Sequence, residues 1–580
     1  MTSLREQLRG FPVFQLVVVN IMRFGEPLSF SSLFPYVYYM IRDFKIAETE
    51  EEISKYSGYL AACFSFTQFL FSVYWGKLSD RIGRKKVVTI GLFGTSISML
   101  IFGFAPNYYV ALAARSFLGA VNGNVAVVRT IIAELTTDRK HQAIAFSTFP
   151  LLWNIGSIIG PLIGGSKYFT RPKEHNPYED DSVVVLSGFK DFHEWFLNKY
   201  PYASSNIIIA LFLWTGALVG FLFLEETHYK RKKDRDLGLD MGDWILNKLG
   251  YKTPARPWKK NSRTEETALL NDIESISSDD ESFVNTSQPQ QIYAGDNESI
   301  NSSESIGPIG RRMSKSIVRR YSSLSLSEGR QLRSTISRIS GVSLNVQETR
   351  DLENSTWGDI FTDGVVQTIF ASFILAFHNV VYNEFLPVFL ASQLMVDRLK
   401  FPWKIAGGFG YDSDSIGSLI SVTGLTGVLV VIIIFPYLDR NFKTVNNYRV
   451  ALLGFPLLYF FMPWLIFTLH EYNPSFSPNT TKYLLYFNGM CYQLASATSF
   501  PQVLLLIHRA APAKHRAFIN GSALSVNALA RFIAPVTWGY LMTYFDIKGH
   551  SGFTWYILSF ISVLAVIQSW FLKDYNEDMK

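Results

Sequence analysis

Apolar residues in this chain come in long blocks rather than in alternating stripes. Twelve blocks, separated by polar turns, fall near 12–41, 57–75, 87–105, 107–133, 142–165 and 204–225, then near 362–391, 415–437, 447–469, 480–507, 516–544 and 552–572. A helix rises about 1.5 Å per residue, so roughly 20 apolar residues cross the hydrocarbon core of a bilayer. Each block therefore predicts one membrane-crossing helix. Polar sequence interrupts the pattern near 166–203 and, at much greater length, over 226–356. The expected architecture is an all-α membrane protein with twelve transmembrane helices in two six-helix halves, 1–225 and 357–580. Residues 226–356 are expected to be a long disordered loop on the cytoplasmic side. Six spans, a long middle and six more spans are what a duplicated unit produces.

The middle segment is rich in Ser, Asn, Glu and Arg and poor in bulky apolar residues, so it cannot offset the entropy of ordering. It closes on Trp357-Gly358-Asp359-Ile360-Phe361, a candidate short interfacial helix leading into the seventh span. Ser314 and Ser322 follow paired arginines, and Ser277 and Ser278 precede Asp279-Asp280-Glu281. These are candidate kinase sites, where phosphate would add charge to a tether; an equally weighted reading is a solvated linker with accidental matches.

Composition narrows the class. Mean hydropathy is only +0.13, because the two polar stretches dilute the spans. The formal charge of +6 comes from basic residues beside apolar blocks, and no groove-reading motif accompanies them, so nucleic acid is not the expected partner. Cys63 and Cys491 are the only cysteines and both lie inside spans, which excludes a disulfide framework. No P-loop, zinc-ligand cluster or Ser-His-Asp spacing is present, so neither ATP-driven transport nor enzyme chemistry is expected, and no metal site or cofactor. The first block is too long for a cleavable signal and carries Arg23 and Glu26. Basic loops alternate with the acidic loop 42–55, which predicts that both termini are cytoplasmic. The sequon at Asn479 then falls on the opposite side as a glycosylation candidate, while those at Asn285, Asn297, Asn301 and Asn354 fall in the loop and should be silent.

Charged residues within spans are costly and therefore functional candidates. Arg23 and Glu26 lie near the middle of the first block, and their i, i+3 spacing puts them on one helix face. A paired carboxylate stays ionised and a separated one tends toward proton uptake, which offers a route to proton coupling; the competing reading is a structural ion pair. Arg115 and Arg129 lie in the fourth block, His378 and Glu384 in the seventh, and Arg531 in the eleventh. His378 is a candidate proton relay or a hydrogen-bonded packing residue. Arg531 needs a partner at its depth, either Glu384 or a substrate anion. Asn122 and Asn124 offer amide groups to a substrate or to a neighbouring helix. Arginines outnumber carboxylates in the spans, which leans toward a solute with an anionic group.

Between the second and third blocks runs Gly76-Lys77-Leu78-Ser79-Asp80-Arg81-Ile82-Gly83-Arg84-Lys85-Lys86. This stretch resembles the signature connection of the major facilitator superfamily, and Pro436-Tyr437-Leu438-Asp439-Arg440 is a faded copy at the matching place in the second half. The resemblance implies a secondary transporter whose inner gate uses Gly76, Asp80, Arg81, Gly83 and Arg84, with Glu134 joining Asp80 and Arg81. Gly156, Gly160, Pro161, Gly164 and Gly165 resemble the antiporter motif of drug:proton antiporters in that superfamily, and Arg115-x-x-x-Gly119-x-x-x-Gly123 resembles its fourth-span motif, whose arginine faces the cavity. Arg23-Phe24-Gly25-Glu26-Pro27 and Gly119-Ala120-Val121-Asn122-Gly123-Asn124 are most similar to fungal members related to plant zinc-induced facilitator-like transporters and bacterial tetracycline antiporters. Those relatives imply a small organic solute, anionic or zwitterionic, moved in exchange for protons, with the proton gradient as driving force. They also favour a vacuolar over a plasma membrane and a monomer in the bilayer. A uniporter or symporter of an organic anion, or a transporter-like sensor signalling through the central loop, remains the alternative.

Overall fold

The computed structural model describes residues 11–122, 124–136, 139–172, 189–228, 231–251, 253–254, 256, 258, 360–512 and 516–573, some of them by backbone alone. The phosphorylation candidates Ser277, Ser278, Ser314 and Ser322, and the loop sequons, lie outside these residues. In the first half the helices are α1 (Val13–Ser31), α2 (Val37–Asp43), α3 (Ile53–Ile82), α4 (Arg84–Gly103), α5 (Tyr108–Val121), α6 (Asn124–Leu135), α7 (Arg139–Gly165), α8 (Phe189–Lys199), α9 (Ala203–Phe223) and α10 (Leu237–Lys248). In the second half they are α11 (Asp363–Ala391), α12 (Ser413–Leu429), α13 (Phe435–Asn441), α14 (Thr444–Phe461), α15 (Thr480–Ala510), α16 (Arg516–Ile547) and α17 (Gly552–Ser569).

Three expected spans are broken. The first divides at residues 32–36 into α1 and α2, and the fourth divides at Asn122, where α5 ends before α6 begins. The eighth passes from α12 through a π-helical stretch, Val430–Ile434, into α13. Pro436 explains that stretch, since it lacks the N–H that a regular ladder would use at this point.

Two polar regions also differ from expectation. The basic connection expected over 76–86 contracts to one non-helical residue: α3 runs to Ile82, Gly83 turns the chain at φ +107°, and α4 starts at Arg84. Residues 226–228 and 231–251, expected as the start of the disordered loop, are ordered against the first half and include α10. The polar stretch near 166–203 contains α8, whose Phe196 packs edge-on against Phe104 at the end of α4.

The helix pairings repeat with a six-span offset. In the first half α3 packs on α5, α4 on α9 and α1 on α7; in the second, α12 packs on α15, α14 on α17 and α11 on α16. The two halves meet through α3 with α16 and α7 with α12, which are equivalent pairs under the same offset. Outward faces of the spans carry apolar side chains such as Phe69, Leu70, Leu218, Ile433 and Phe560, as a lipid-facing surface requires.

The apolar core distinguishes the two ends of the molecule. At the end remote from the 76–86 motif, Tyr36, Tyr38, Ile41, Leu60 and Tyr108 of the first half join Phe385, Phe389, Trp538 and Trp555 of the second in one buried cluster. Toward the motif end, Val87, Val88, Leu118, Val128 and Ile132 belong to a separate cluster drawn from the first half alone.

Candidate functional site

Close backbone contact builds the shared end. A Cβ on Gly58 would strike the Pro535 carbonyl, and Gly539 lies against Ser54 and Gly58, so α3 and α16 cross nearly backbone to backbone. Gly165 and Gly417 do the same for α7 and α12. Hydrogen bonds span the halves at this end: Thr543 Oγ1 donates to the Glu51 carbonyl at 3.0 Å, and the Tyr39 hydroxyl donates to the Tyr411 carbonyl. Lys167 Nζ lies 3.1 Å from Asp412, and Ser421 Oγ donates to the Ile158 carbonyl at 2.7 Å. Burial works against ionising Asp412, but hydrogen bonds from Ser415 and Lys167 outweigh it and hold the carboxyl below its ordinary range. Asn479 is exposed at this end, at the start of α15. Farther along the same crossing, a Cβ on Gly76 or Gly521 would meet nothing within 4 Å among the described residues, in contrast to the backbone contact at the other end.

The candidate antiporter motif serves as a bed for α1. Cβ atoms on Gly156, Gly160 and Gly164 would collide with Pro27, Ser31 and Ser32 respectively, and Ser31 Oγ donates to the Gly156 carbonyl at 2.9 Å. Pro161 presents its carbonyl to Gly417 of α12. This packing fixes the helix that carries Arg23 and Glu26.

A set of charges crosses the interface between halves at mid-depth. Glu384 on α11 lies in the fields of Arg115 on α5 and Arg531 on α16. Arg531 is coupled also to Glu26 and Arg129, and Arg23 to Glu26 and Arg129. Four guanidinium groups on α1, α5, α6 and α16 thus lie within electrostatic reach of two carboxylates on α1 and α11. Arg115 is buried, sits 5.0 Å over the Phe64 ring, and keeps Nε without a hydrogen-bond partner among the described residues. Glu384 is buried with Oε2 likewise unpartnered, and no ion pair within 4.0 Å involves it among the described residues. Tyr36, whose hydroxyl accepts from Asn206 Nδ2 at 3.0 Å, is a further neighbour of Arg115.

The other candidates divide. His378 lies elsewhere, buried with Nδ1 2.9 Å from the Tyr459 hydroxyl and its ring against Phe455 on α14. It belongs to the second half's packing and is not brought to the arginine set. Asn122 is buried at the end of α5, its carbonyl accepting from Gln68 Nε2 at 3.4 Å; of Asn124 only the backbone is described. Arg129 on α6 lies in the field of Glu26.

At the motif end Arg84 is the organising residue. It donates to Asp80 at 2.5 Å, to Ser79 Oγ at 2.6 Å and to Glu134 at 3.4 Å. Arg84, the first residue of α4, is the side chain that links Asp80 to Glu134. Arg81 contributes its carbonyl, which accepts from Arg231 Nε at 3.1 Å. Glu226 accepts the backbone N–H of Arg84 at 2.9 Å and of Lys85 at 3.2 Å, capping α4. Thr227 Oγ1 donates to Glu134 at 2.5 Å, and Lys85 pairs with Asp236 at 2.7 Å. These partners escaped the sequence reading because 226–240 looked like linker. The Asp236 cap followed by apolar Leu237, Met241 and Trp244 was the signal for a helix.

The Major Facilitator Superfamily model matches residues 19–399, about two thirds of the chain. The chain belongs to that superfamily. It is a multi-pass membrane transporter of the drug or solute type, not an enzyme. It is 31% identical over 577 residues to the major facilitator superfamily multidrug transporter mfsB of Aspergillus fumigatus, covering 98% of this chain and 85% of that one. It is 31% identical over 272 residues to the Arabidopsis thaliana protein Zinc Induced Facilitator 1, covering 46% and 52% respectively. Among solved structures, a POT family transporter in complex with a thioalcohol-conjugated peptide superposes with a TM-score of 0.55 at 13% identity, over 97% of this chain and 99% of that one. That likeness concerns the fold.

Proposed function

We propose that this transporter exchanges protons for a small organic solute bearing an anionic group, by alternating access to a site held between its halves. The observation that carries the reading is Glu384 on one half, reached by the fields of Arg115 on the other half and Arg531 on its own. An anionic group of the solute takes the guanidinium groups, and a cationic group on the same solute pairs with the ionised carboxylate. That pairing requires the proton to leave first, and a carboxylate emptied of solute in this low-dielectric interior takes up a proton, so solute and proton occupy the site in turn and cross in opposite directions. The multidrug relative supports an organic cargo, and the joined core at one end with separated helices at the other supports a rocking of the halves. The motif end is then the cytoplasmic side, and the ordered segment after α9 is part of the inner gate.

The test is reconstitution in proteoliposomes with an imposed pH gradient and a panel of labelled organic anions. Accumulation driven by the gradient is expected. Glu384→Gln and Glu26→Gln each remove a carboxylate that can carry a proton and should each lower it by about tenfold or more, about 1.4 kcal/mol of lost coupling, while solute counterflow without a gradient persists. Flux that ignores the gradient defeats antiport and leaves facilitated diffusion. Unchanged gradient-driven exchange in Glu26→Gln would remove that residue from coupling.

A further inference from the structure

Helix α10 follows the last membrane span of the first half and has two unlike faces. Gly238 and Gly242 press so closely on α9 that a Cβ on either would strike the Phe221 or Leu222 carbonyl. Leu239 and Asp243 are buried on this side too. The helix therefore rests on the final turn of the span, at the depth where the membrane meets water. The other face points away from the protein and carries Leu237, Met241 and Trp244, 65%, 56% and 65% exposed, at i, i+4 and i+7. Leu249 and Tyr251 continue the exposed apolar surface. Leu218 and Phe221 of α9, the span on which α10 rests, are exposed as well.

The charges around this stripe are not balanced toward solvent. Asp236 is taken by Lys85, Asp234 lies 3.3 Å from Arg231, Asp240 lies 3.3 Å from Arg235, and Asp243 is buried. Lys232, Lys233 and Lys248 are exposed and have no acidic partner among the described residues. Lys248 stands 5.2 Å over the Trp244 ring, an arrangement in which an indole sits among lipid chains and an ammonium reaches back to phosphate. Lys77, Arg81 and Lys86 of the basic motif are exposed on the same end of the molecule.

We infer that residues 231–251 form an interfacial site for anionic phospholipid, with Leu237, Met241 and Trp244 among the acyl chains and Lys232, Lys233 and Lys248 on the headgroups. Partly balanced apolar and basic contributions are what such surface helices require, each basic residue adding to the attraction of an anionic leaflet. Asp236 ties this helix to the gate motif, because the same carboxylate caps α10 at Gly238 and Leu239 and receives Lys85. The inference stands independently of the transported solute.

The full chain is reconstituted in equimolar phosphatidylcholine and phosphatidylglycerol, with bromine on the acyl chains of one lipid or the other. Trp244 emission is isolated as the difference between the unaltered protein and Trp244→Phe. Quenching is expected with both lipids, about twofold stronger with brominated phosphatidylglycerol, as enrichment of an anionic lipid by a few lysines implies. The preference should fall to parity in the Lys232→Gln, Lys233→Gln, Lys248→Gln variant. Absence of quenching, as when a second protein covers the face, overturns lipid contact. Equal quenching by both lipids in the unaltered protein, or a preference that survives loss of the lysines, overturns headgroup selection.

Discussion

Glu226 and Gly83 illustrate how much of the gate depends on single residues. Gly83 turns the chain between α3 and α4 at φ 107° and ψ 156°, a region open almost only to glycine that costs an L-residue about 1–3 kcal/mol. A Cβ there would also strike the Glu226 carboxylate that caps the next helix. Gly83→Ala should therefore lower the unfolding midpoint of the purified transporter more than Glu226→Gln does. Gln keeps one acceptor and forfeits about 1 kcal/mol of charge-assisted bonding. Gly83→Ala already expels the carboxylate, so the double variant should unfold close to Gly83→Ala alone. Additive midpoints would mean that the cap and the turn are independent. The same motif shows the limit of reading residues in isolation. The cluster of cations marked the place, but whether Arg81 or Arg84 reaches Glu134 depends on where α3 stops, and only the turn at Gly83 sets that.

Helix elements were legible where apolar length alone decides, as in α9, α11 and α15, whose bounds follow the blocks in the sequence. Breaks were less legible because the apolar run continues through them. Nothing in hydropathy separates α5 from α6, or marks the π-helical stretch before Pro436. Residues 226–228 and 231–251 are hard to read for the opposite reason: they are charged like a linker, yet Glu226, Arg231 and Asp236 are held by the end of α4, the Arg81 carbonyl and Lys85. In the candidate site, Arg23, Glu26, Arg115, Glu384 and Arg531 were found because a charge in a span is conspicuous. Arg129 stands out in the fourth block for the same reason, but position along a helix does not show that it lies in the field of Glu26. The glycine contacts carry a prediction at this scale. Gly58→Val adds bulk where α3 meets the Pro535 carbonyl, an overpacking cost of about 1–3 kcal/mol on the arrangement seen here and little once α3 and α16 part. With Cys63 and Cys491 replaced by Ser, a cysteine at position 543, buried beside Glu51, should react severalfold faster with maleimide in Gly58→Val, as a shift of that size implies. Gly539→Val should act in the same direction from the facing helix. Unchanged labelling in both would mean that this crossing does not open.

For the whole molecule, the asymmetry between its ends is the feature a transport cycle would use. One end has a common core, backbone-level crossings at Gly58 with Gly539 and Gly165 with Gly417, and the Lys167–Asp412 pair. An exposed ion pair contributes only about 0–1 kcal/mol, so that latch marks the contact more than it secures it. The buried apolar surface holds the end shut, and a rigid-body exchange of the contact would have to move that surface as a unit. Replacing Lys167 and Asp412 by cysteines in the background without Cys63 and Cys491 allows the end to be bridged covalently with a short bifunctional maleimide. Bridged protein should stop exchanging solute, and a cysteine at position 521 should stay fully reactive, because the motif end is then held apart. An unbridged sample should show that reactivity fall when the imposed gradient drives turnover, as the population shifts toward a state in which Gly76 and Gly521 approach. Continued exchange in the bridged protein would rule out a closing and opening of this end. Equal reactivity at position 521 under both conditions would mean that the motif end does not close in return, and that the two ends do not alternate.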